Sequence, residues 1–291
     1  MSADYQFVGS PLQETDLLQR AMMISPEYHR QVVTRAIVGA MENSPADRCC
    51  IVGAGHCQDL NLQSLLSAFR EVHLVDIDTS SIEHGIHRQQ VAQSARIHAH
   101  GGFDVTGVHQ LLIECSQMSD PARVDLEALH RQIKEFNWNA LGAGFDVVAS
   151  TCMFSQVVQH VLDTLGPMGE AVYVPIIQAL RLRHLELVVA ACRPGGVGLL
   201  FTDVVSSDTL PEIPSKAGAG LQPLLNRAIS EQNFFTGLNP VILQGLFESE
   251  PSLKGEIESV TTSHPWVWNA GTRYYVVVAF RFKRRKEEPR S

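Results

Sequence analysis

The chain has 291 residues, of which 45% are hydrophobic and 19% are charged, and this composition is typical of a globular protein with a large core. Its formal net charge of −8 disfavours nucleic acid as a partner, because a broad grip on phosphates needs many Lys and Arg side chains. No signal sequence or membrane-spanning window is visible, and the six cysteines contain no C-x-x-C pair. We therefore expect a cytoplasmic protein with reduced cysteines and no membrane association.

The N-terminal part of the chain is predicted to be helical. Helical patterns run in two pieces from residue 11 to residue 44, and the second piece begins at Ser25, which can cap a helix whose first turn holds Pro26. Asn43-Ser44-Pro45 is expected to end it. We interpret residues 1–45 as a helical cap that precedes the main domain.

From residue 46 onward, short apolar strands alternate with helices. Strands are predicted over 49–52, 71–75, 96–99, 145–150 and 197–202. Helices are predicted over 60–69, 80–95, 125–136, 156–165 and 174–191, with a break at Asp120-Pro121. Such alternation predicts a parallel sheet that is covered by helices on both faces.

The C-terminal part departs from this alternation. Pro and Gly are dense from Pro211 to Gly220, which predicts a loop inside a lid-like insertion at about 206–250. Residues 257–268 and 273–282 then form two β-rich arms on either side of the turn Asn269-Ala270-Gly271. A turn this short cannot contain a crossover helix, so the last strand is predicted to be antiparallel.

The strongest motif is a strand that runs into Gly53-Ala54-Gly55 and then into a helix. Glycines at this place let the backbone approach a ligand at the carboxyl edge of the sheet. The next strand ends on Asp76, at the spacing of roughly 20 residues at which a carboxylate accepts hydrogen bonds from ribose hydroxyls. The motif therefore predicts a nucleoside site. Gln58 holds the position of the third glycine that a dinucleotide site needs, which favours a cofactor without a pyrophosphate.

With these motifs the chain resembles the class I (Rossmann-like) S-adenosylmethionine-dependent methyltransferases. The resemblance covers residues 46–282 and rests on five motifs in order: Val52–Gly55, Leu74–Asp78, Phe145–Ser150, Arg193–Gly196 and the C-terminal hairpin. It implies an α/β domain over residues 46–291. The expected fold is a doubly wound, mostly parallel seven-stranded sheet with an antiparallel last strand beside the fifth, in a three-layer α/β/α sandwich.

The resemblance also implies a function. We expect methyl transfer from S-adenosyl-L-methionine to a small-molecule acceptor, which the acidic chain favours over nucleic acid. Two alternatives stay open: a non-catalytic nucleoside-binding Rossmann scaffold, and an NAD(P)-linked oxidoreductase. The expected cofactor-binding residues are Gly53, Ala54, Gly55, Asp76, Ile77, Phe103, Asp104, Ser150 and Thr151. Asp104 can instead cap a turn. Asp59 is either a carboxylate for the methionine end or a helix cap.

Candidates for catalysis and for acceptor binding come last. His56 lies in the glycine loop and is a weak candidate for a general base. Tyr28 and His29 are expected in the acceptor pocket if the N-terminal helix closes over the cleft; the alternative is that this helix only covers a sheet face. His84 and His87 lie in a polar helix, and no histidine shows ligand spacing, so no metal site is expected.

Overall fold

The computed structural model describes residues 21–41, 46–118 and 124–286, and in it one mixed sheet carries helices on both faces. The strands are β1 Arg48–Val52, β2 Glu71–Val75, β3 Ile97–His100, β4 Phe145–Thr151, β5 Cys192–Ser206, β6 Ile257–Thr262, β7 Trp266–Asn269 and β8 Tyr274–Arg284. The helices are α1 Pro26–Val38, α2 Leu62–Ala68, α3 Thr79–Arg88, α4 His109–Ser116, α5 Leu126–Glu135, α6 Phe154–Leu165, α7 Glu170–Ala191, α8 Leu221–Ser230, α9 Pro240–Ser249 and α10 Pro251–Lys254.

The strand order is β3-β2-β1-β4-β5-β8-β6, with β7 also paired to β8. Strands β1 to β5 are mutually parallel, whereas β8 is antiparallel to β5 over residues 275–283. This confirms the predicted sheet with an antiparallel last strand beside the fifth. The predicted first arm of the hairpin is divided into β6 and β7, because Ser263, His264 and Pro265 interrupt it while both halves keep pairing with β8.

Successive residues of β1 pack on opposite faces of the sheet, as the period of a strand requires. Cys49 and Ile51 share a core with α1 and α2, whereas Cys50 and Val52 share one with α7, α8 and α9. Helix α1 begins where the sequence predicted: the hydroxyl of Ser25 accepts from the Tyr28 amide at 3.2 Å. Its residues Val33 and Ile37 are fully buried, so α1 covers one face of the sheet.

Several predicted boundaries shift. The helix predicted over 80–95 ends at Arg88, where Gln90 takes a left-handed conformation with φ 57°. Strand β5 begins five residues earlier than predicted, because Cys192 already pairs with Phe145 before an irregularity in the register. The segment 206–250 contributes α8 and α9 to the core beside β5 and β8. Residues 11–20, Asn43-Ser44-Pro45 and Asp120-Pro121 lie outside the described residues.

The order of the strands places a crevice at the carboxyl ends of β1 and β4. The chain leaves β1 toward β2 on one side and leaves β4 toward β5 on the other, so connections diverge between these neighbours. Ligands of doubly wound sheets bind at such a point. Within the described ranges, no helix is long and apolar enough to cross a membrane.

Candidate functional site

The turn after β1 folds back onto the end of β2. The amides of Gly53 and Ala54 both donate to the Val75 carbonyl, at 2.9 and 3.1 Å. The Gly55 amide donates to Oδ2 of Asp76 at 2.8 Å. The glycine motif and the acid that the sequence paired with it are therefore in direct contact, and the carboxylate holds the turn in place.

Glycine is required at position 53 for two reasons. Its φ is +76°, a conformation that side chains disfavour. A Cβ placed there would also lie 2.6 Å from Cβ of Met153, in the loop between β4 and α6. The first loop thus passes directly against the fourth-strand loop, and no side chain fits between them.

Asp76 is fixed on every side and still has acceptor capacity. Its Oδ1 accepts from the Asp78 amide at 3.0 Å, its own amide donates to the His100 carbonyl at 3.2 Å, and its carbonyl accepts from Phe103 at 3.1 Å. A carboxylate has about four lone-pair sites. Two backbone donors therefore leave room for the two hydroxyls of a ribose.

Asp76 opens onto a cleft of about 200 Å³. Four of the residues predicted to bind a cofactor line it together: Gly53, Asp76, Ile77 and Asp104. Ile77 is 44% exposed although it is large and apolar, so its side chain offers a surface on which a flat ring can pack. The predicted combination of a carboxylate and an apolar platform is present in one cleft.

Asp104 also performs the capping role that the sequence left open. Its Oδ1 accepts from the amide of Thr106 at 2.8 Å and from the Thr106 hydroxyl at 2.6 Å. Its Oδ2 accepts from the His109 amide at 2.9 Å, at the start of α4. These bonds order the loop after β3, and the contact of Asp104 with an adenine amine stays a prediction.

The other predicted cofactor residues lie behind the cleft. Ala54 and Gly55 belong to the turn that Asp76 holds, and the backbone of Phe103 binds Asp76. Ser150 is fully buried, with its hydroxyl 2.9 Å from Nε2 of His184. The Thr151 hydroxyl donates to the Gly53 carbonyl at 2.9 Å. None of these five lines the cleft within the described part of the chain, so their side chains support the site from the sheet.

The sequence reading missed the wall contributed by α4 and α6. This wall consists of Val105, Thr106, His109, Leu112, Met153, Gln156, Val157 and His160. The rings of His109 and His160 are 5.1 Å apart, and burial, followed by the neighbouring His109, lowers the pKa of His160. Both histidines are visible in the sequence, but only the packing of α4 against α6 brings them to the cleft.

The predicted base and acceptor residues lie elsewhere. The exposed ring of His56 contacts His84, at 5.5 Å between ring centres. His29 is buried, stacks on Trp268 at 4.9 Å and accepts a hydrogen bond from Nε1 of Trp266 at 3.0 Å. Tyr28 is half-buried on the same helix. Helix α1 therefore presents His29 to the C-terminal strands, and neither residue lines the 200 Å³ cleft.

A second polar cluster lies under α1. Nε2 of His29 is 3.3 Å from Oδ1 of Asp59, while the cap of α2 is Asn61, so the helix-cap interpretation of Asp59 is wrong. On β5, the carboxyl group of Asp203 is 2% exposed, and its Oδ1 has no hydrogen-bond partner among the described residues. Burial raises the pKa of Asp203 to about 6, and the charge of Asp59 acts in the same direction.

The loop between β4 and α6 is strained where it reaches this cluster. Cys152, directly after β4, has a φ of 42°, and its amide donates to the Phe201 carbonyl at 3.0 Å. Ser155, three residues later, hydrogen-bonds to the Asp203 side chain and thereby lowers its pKa in part. Strain and an unpaired buried carboxyl group cost stability, and both are typical of sites that act on a ligand.

Comparisons with known proteins give likeness of fold only. No protein-family model matches the chain, and no curated protein matches its sequence. The N-methyltransferase NodS from Bradyrhizobium japonicum WM9, solved with S-adenosyl-L-homocysteine, is 11% identical with a TM-score of 0.44, over 89% of this chain and 86% of that one. The YcgJ protein from Bacillus subtilis is 9% identical with a TM-score of 0.45, over 90% and 100%. The CurJ carbon methyltransferase is 14% identical with a TM-score of 0.46, over 94% and 59%.

Proposed function

We propose that the chain is an S-adenosylmethionine-dependent methyltransferase that acts on a small-molecule acceptor. One observation carries the proposal: Asp76 binds the glycine turn, keeps free acceptor sites and opens, beside the exposed Ile77, onto a cleft at the carboxyl end of the sheet. The antiparallel β8 beside β5 supports the same conclusion, because it is the topology that the resemblance predicts.

In this proposal the cofactor's adenosine lies in the cleft. The free lone pairs of Asp76 accept from the ribose hydroxyls, Ile77 packs against adenine, and Asp104 faces the exocyclic amine. No phosphate has to be bound, so a loop with Gln58 in place of a third glycine suffices. Thr151 and Ser150 contribute indirectly, by holding the Gly53 carbonyl and the buried end of β4.

The cofactor supplies a methyl group on a sulfonium, and the protein aligns the acceptor with it and excludes water. We propose that the acceptor binds beside Asp203, under α1, where a carboxyl group is buried without a full set of partners. With its pKa raised to about 6, Asp203 can hold or accept a proton near neutral pH. His56 remains a weaker candidate, because its exposed ring contacts His84.

The chain's acidity supports a small acceptor over nucleic acid, and six free cysteines, five of them buried, support the proposed cytoplasmic location. The moving part of the proposed lid is the Pro/Gly-rich loop 211–220, because α8 and α9 are anchored by buried Leu224, Leu243 and Phe247. Gly218 in this loop has φ +89° and lies next to Met23, which precedes α1. Limited proteolysis tests this: S-adenosyl-L-homocysteine should slow cleavage within 211–220, and equal rates with and without it contradict a lid.

Calorimetric titration tests the proposed cofactor. S-adenosyl-L-homocysteine should bind with one site per chain and raise the melting temperature, whereas NADH should do neither. Binding of NADH and not of S-adenosyl-L-homocysteine would support the oxidoreductase alternative and overturn the proposal. Incubation with a methyl-labelled cofactor and a library of small nucleophiles then separates an active enzyme from a non-catalytic scaffold, which binds but transfers no label.

A further inference from the structure

Strands β2 and β3 carry four metal-ligand side chains on one face of the sheet. In the register of this parallel pair His73 lies opposite His98, and Val75 lies opposite His100. Residues two apart on a strand share a face, so Glu71 joins His73, and His100 joins His98. The sequence shows this only as Glu71-x-His73 and His98-x-His100, two short patterns more than twenty residues apart.

Three of these side chains converge on one point. One donor atom each from Glu71, His73 and His98 lies within 4.8 Å of the others, and the rings of His73 and His98 are stacked at 4.5 Å. Around a tetrahedral zinc ion, donor atoms about 2.1 Å from the metal lie about 3.4 Å from one another. Small rotations of two half-exposed side chains close that difference, while the buried His73 stays in place.

The surrounding groups are arranged as outer partners of such a site. Nε2 of His73 is 3.5 Å from Oε2 of Glu71, and its Nδ1 is 2.9 Å from Nε2 of His100. A histidine that binds a metal through one nitrogen usually donates from the other, and this second bond fixes its orientation. Arg48 donates to Glu71 at 3.2 Å and lies over the Phe145 ring at 4.5 Å, so the carboxylate is also oriented.

We propose that Glu71, His73 and His98 bind a late first-row divalent metal ion, Zn²⁺ in the first place, with His100 orienting His73 from outside. Two imidazoles and one carboxylate suit zinc, and three protein ligands leave the fourth position to water. Glu71 and His73 lie in the amino-terminal part of β2, whereas Asp76 follows its carboxyl end. The ion therefore joins β3, the edge strand, to β2 and does not contact the cofactor cleft.

Titration of the metal-free full-length chain with ZnCl₂ tests this proposal. We expect one site per chain, and a rise in melting temperature at saturating Zn²⁺ because the ion binds only the folded state. Glu71→Gln and His98→Ala should each weaken the dissociation constant at least tenfold. His100→Ala should weaken it roughly 10- to 100-fold, the usual effect of losing an outer partner.

His130→Ala is the matched control, because His130 is an exposed histidine on α5 that bonds only to the Leu126 carbonyl at 3.0 Å. It should bind Zn²⁺ as the unmodified chain does, and all variants should melt cooperatively without metal. A tetrahedral Co²⁺ absorption band should appear in the unmodified chain and disappear in His98→Ala. Absence of a one-to-one site, or equal affinity in the control and in both ligand variants, overturns the proposal.

Discussion

Two carboxylates at the carboxyl side of the sheet, Asp76 after β2 and Asp203 on β5, are held in opposite ways. Asp76 receives hydrogen bonds from the Gly55 and Asp78 amides and opens onto a cleft. Asp203 is buried with one oxygen unpartnered, and burial raises its pKa to about 6. A carboxylate stabilised as an anion suits permanent recognition of hydroxyl donors, whereas one whose charge is destabilised suits proton exchange.

The largest expected effect breaks the Asp76 side of this comparison at its support. Gly53→Ala places a side chain at φ +76° and within 2.6 Å of the Met153 Cβ, so the turn must move away from Asp76. We expect the affinity for S-adenosyl-L-homocysteine to fall roughly a hundredfold, since strain and lost contacts of this kind cost about 1–3 kcal/mol. Calorimetric titration measures it.

Gly245→Ala is the matched control for this change, because a Cβ at position 245 in α9 meets no atom within 4 Å. It should leave affinity unchanged and stabilise the helix slightly. An unchanged affinity in Gly53→Ala would show that the glycine turn does not shape the cofactor site.

The next effect sharpens the Asp203 side. The pKa of Asp203 is raised above its ordinary value of 3.8, so the folded state retains a proton that the unfolded state has lost between about pH 4 and pH 6. Stability from this group is therefore present at low pH and is lost as pH rises through 6. Asp203→Asn should increase the free energy of unfolding by on the order of 2 kcal/mol at pH 7.5 and by almost nothing at pH 4.

Urea unfolding at the two pH values measures the difference. Asp208→Asn is the control, since Asp208 is half exposed and pairs with Arg273 on the surface. Because Asp203 is not part of the cleft lining, Asp203→Asn should bind S-adenosyl-L-homocysteine normally. A destabilised Asp203→Asn protein at pH 7.5 would show that the carboxylate has a stabilising partner and is not poised for proton exchange.

The smallest expected effect concerns the link between β4 and the glycine turn. Thr151→Val removes the hydroxyl that donates to the Gly53 carbonyl at 2.9 Å, and we expect a loss of about 1 kcal/mol of stability. The affinity for S-adenosyl-L-homocysteine should fall several-fold, because the turn is held less firmly. Thr261→Val, at an exposed position on β6, should change neither quantity. Equal behaviour of the two variants would remove Thr151 from the support of the site.

How far the sequence predicted the site depends on how local each contact is. Asp76 and the glycine turn follow from two adjacent strands of a known topology, and the structure joins them at 2.8 Å. Ser150 and Phe103 follow strands in the right order, but the side chain of one is directed into the core and the backbone of the other binds Asp76. A sequence shows that a residue follows a strand and does not show which way its side chain points.

The missed features depend on contacts between distant segments. The wall of His109 and His160 requires α4 to pack on α6, and the histidine cluster on β2 and β3 requires the register of two strands. The fold itself was predictable, since the alternation of strands and helices and the short final turn restrict the topology. The division of the last hairpin arm into β6 and β7 was not, because Pro265 also occurs in edge strands.

The most direct test of the central claim compares two neighbouring acids on one loop. Asp76→Asn replaces the carboxylate that lines the cleft, whereas Asp78→Asn changes a carboxylate that bonds only to Ser80 and Ser81 at the start of α3. Titration with S-adenosyl-L-homocysteine should show at least tenfold weaker binding for Asp76→Asn, since a hydrogen bond to a charged group contributes about 1.5–3 kcal/mol. Asp78→Asn should keep the affinity of the unmodified chain and only lower the melting temperature. Equal affinities in all three proteins would contradict the assignment of the cleft as the cofactor site.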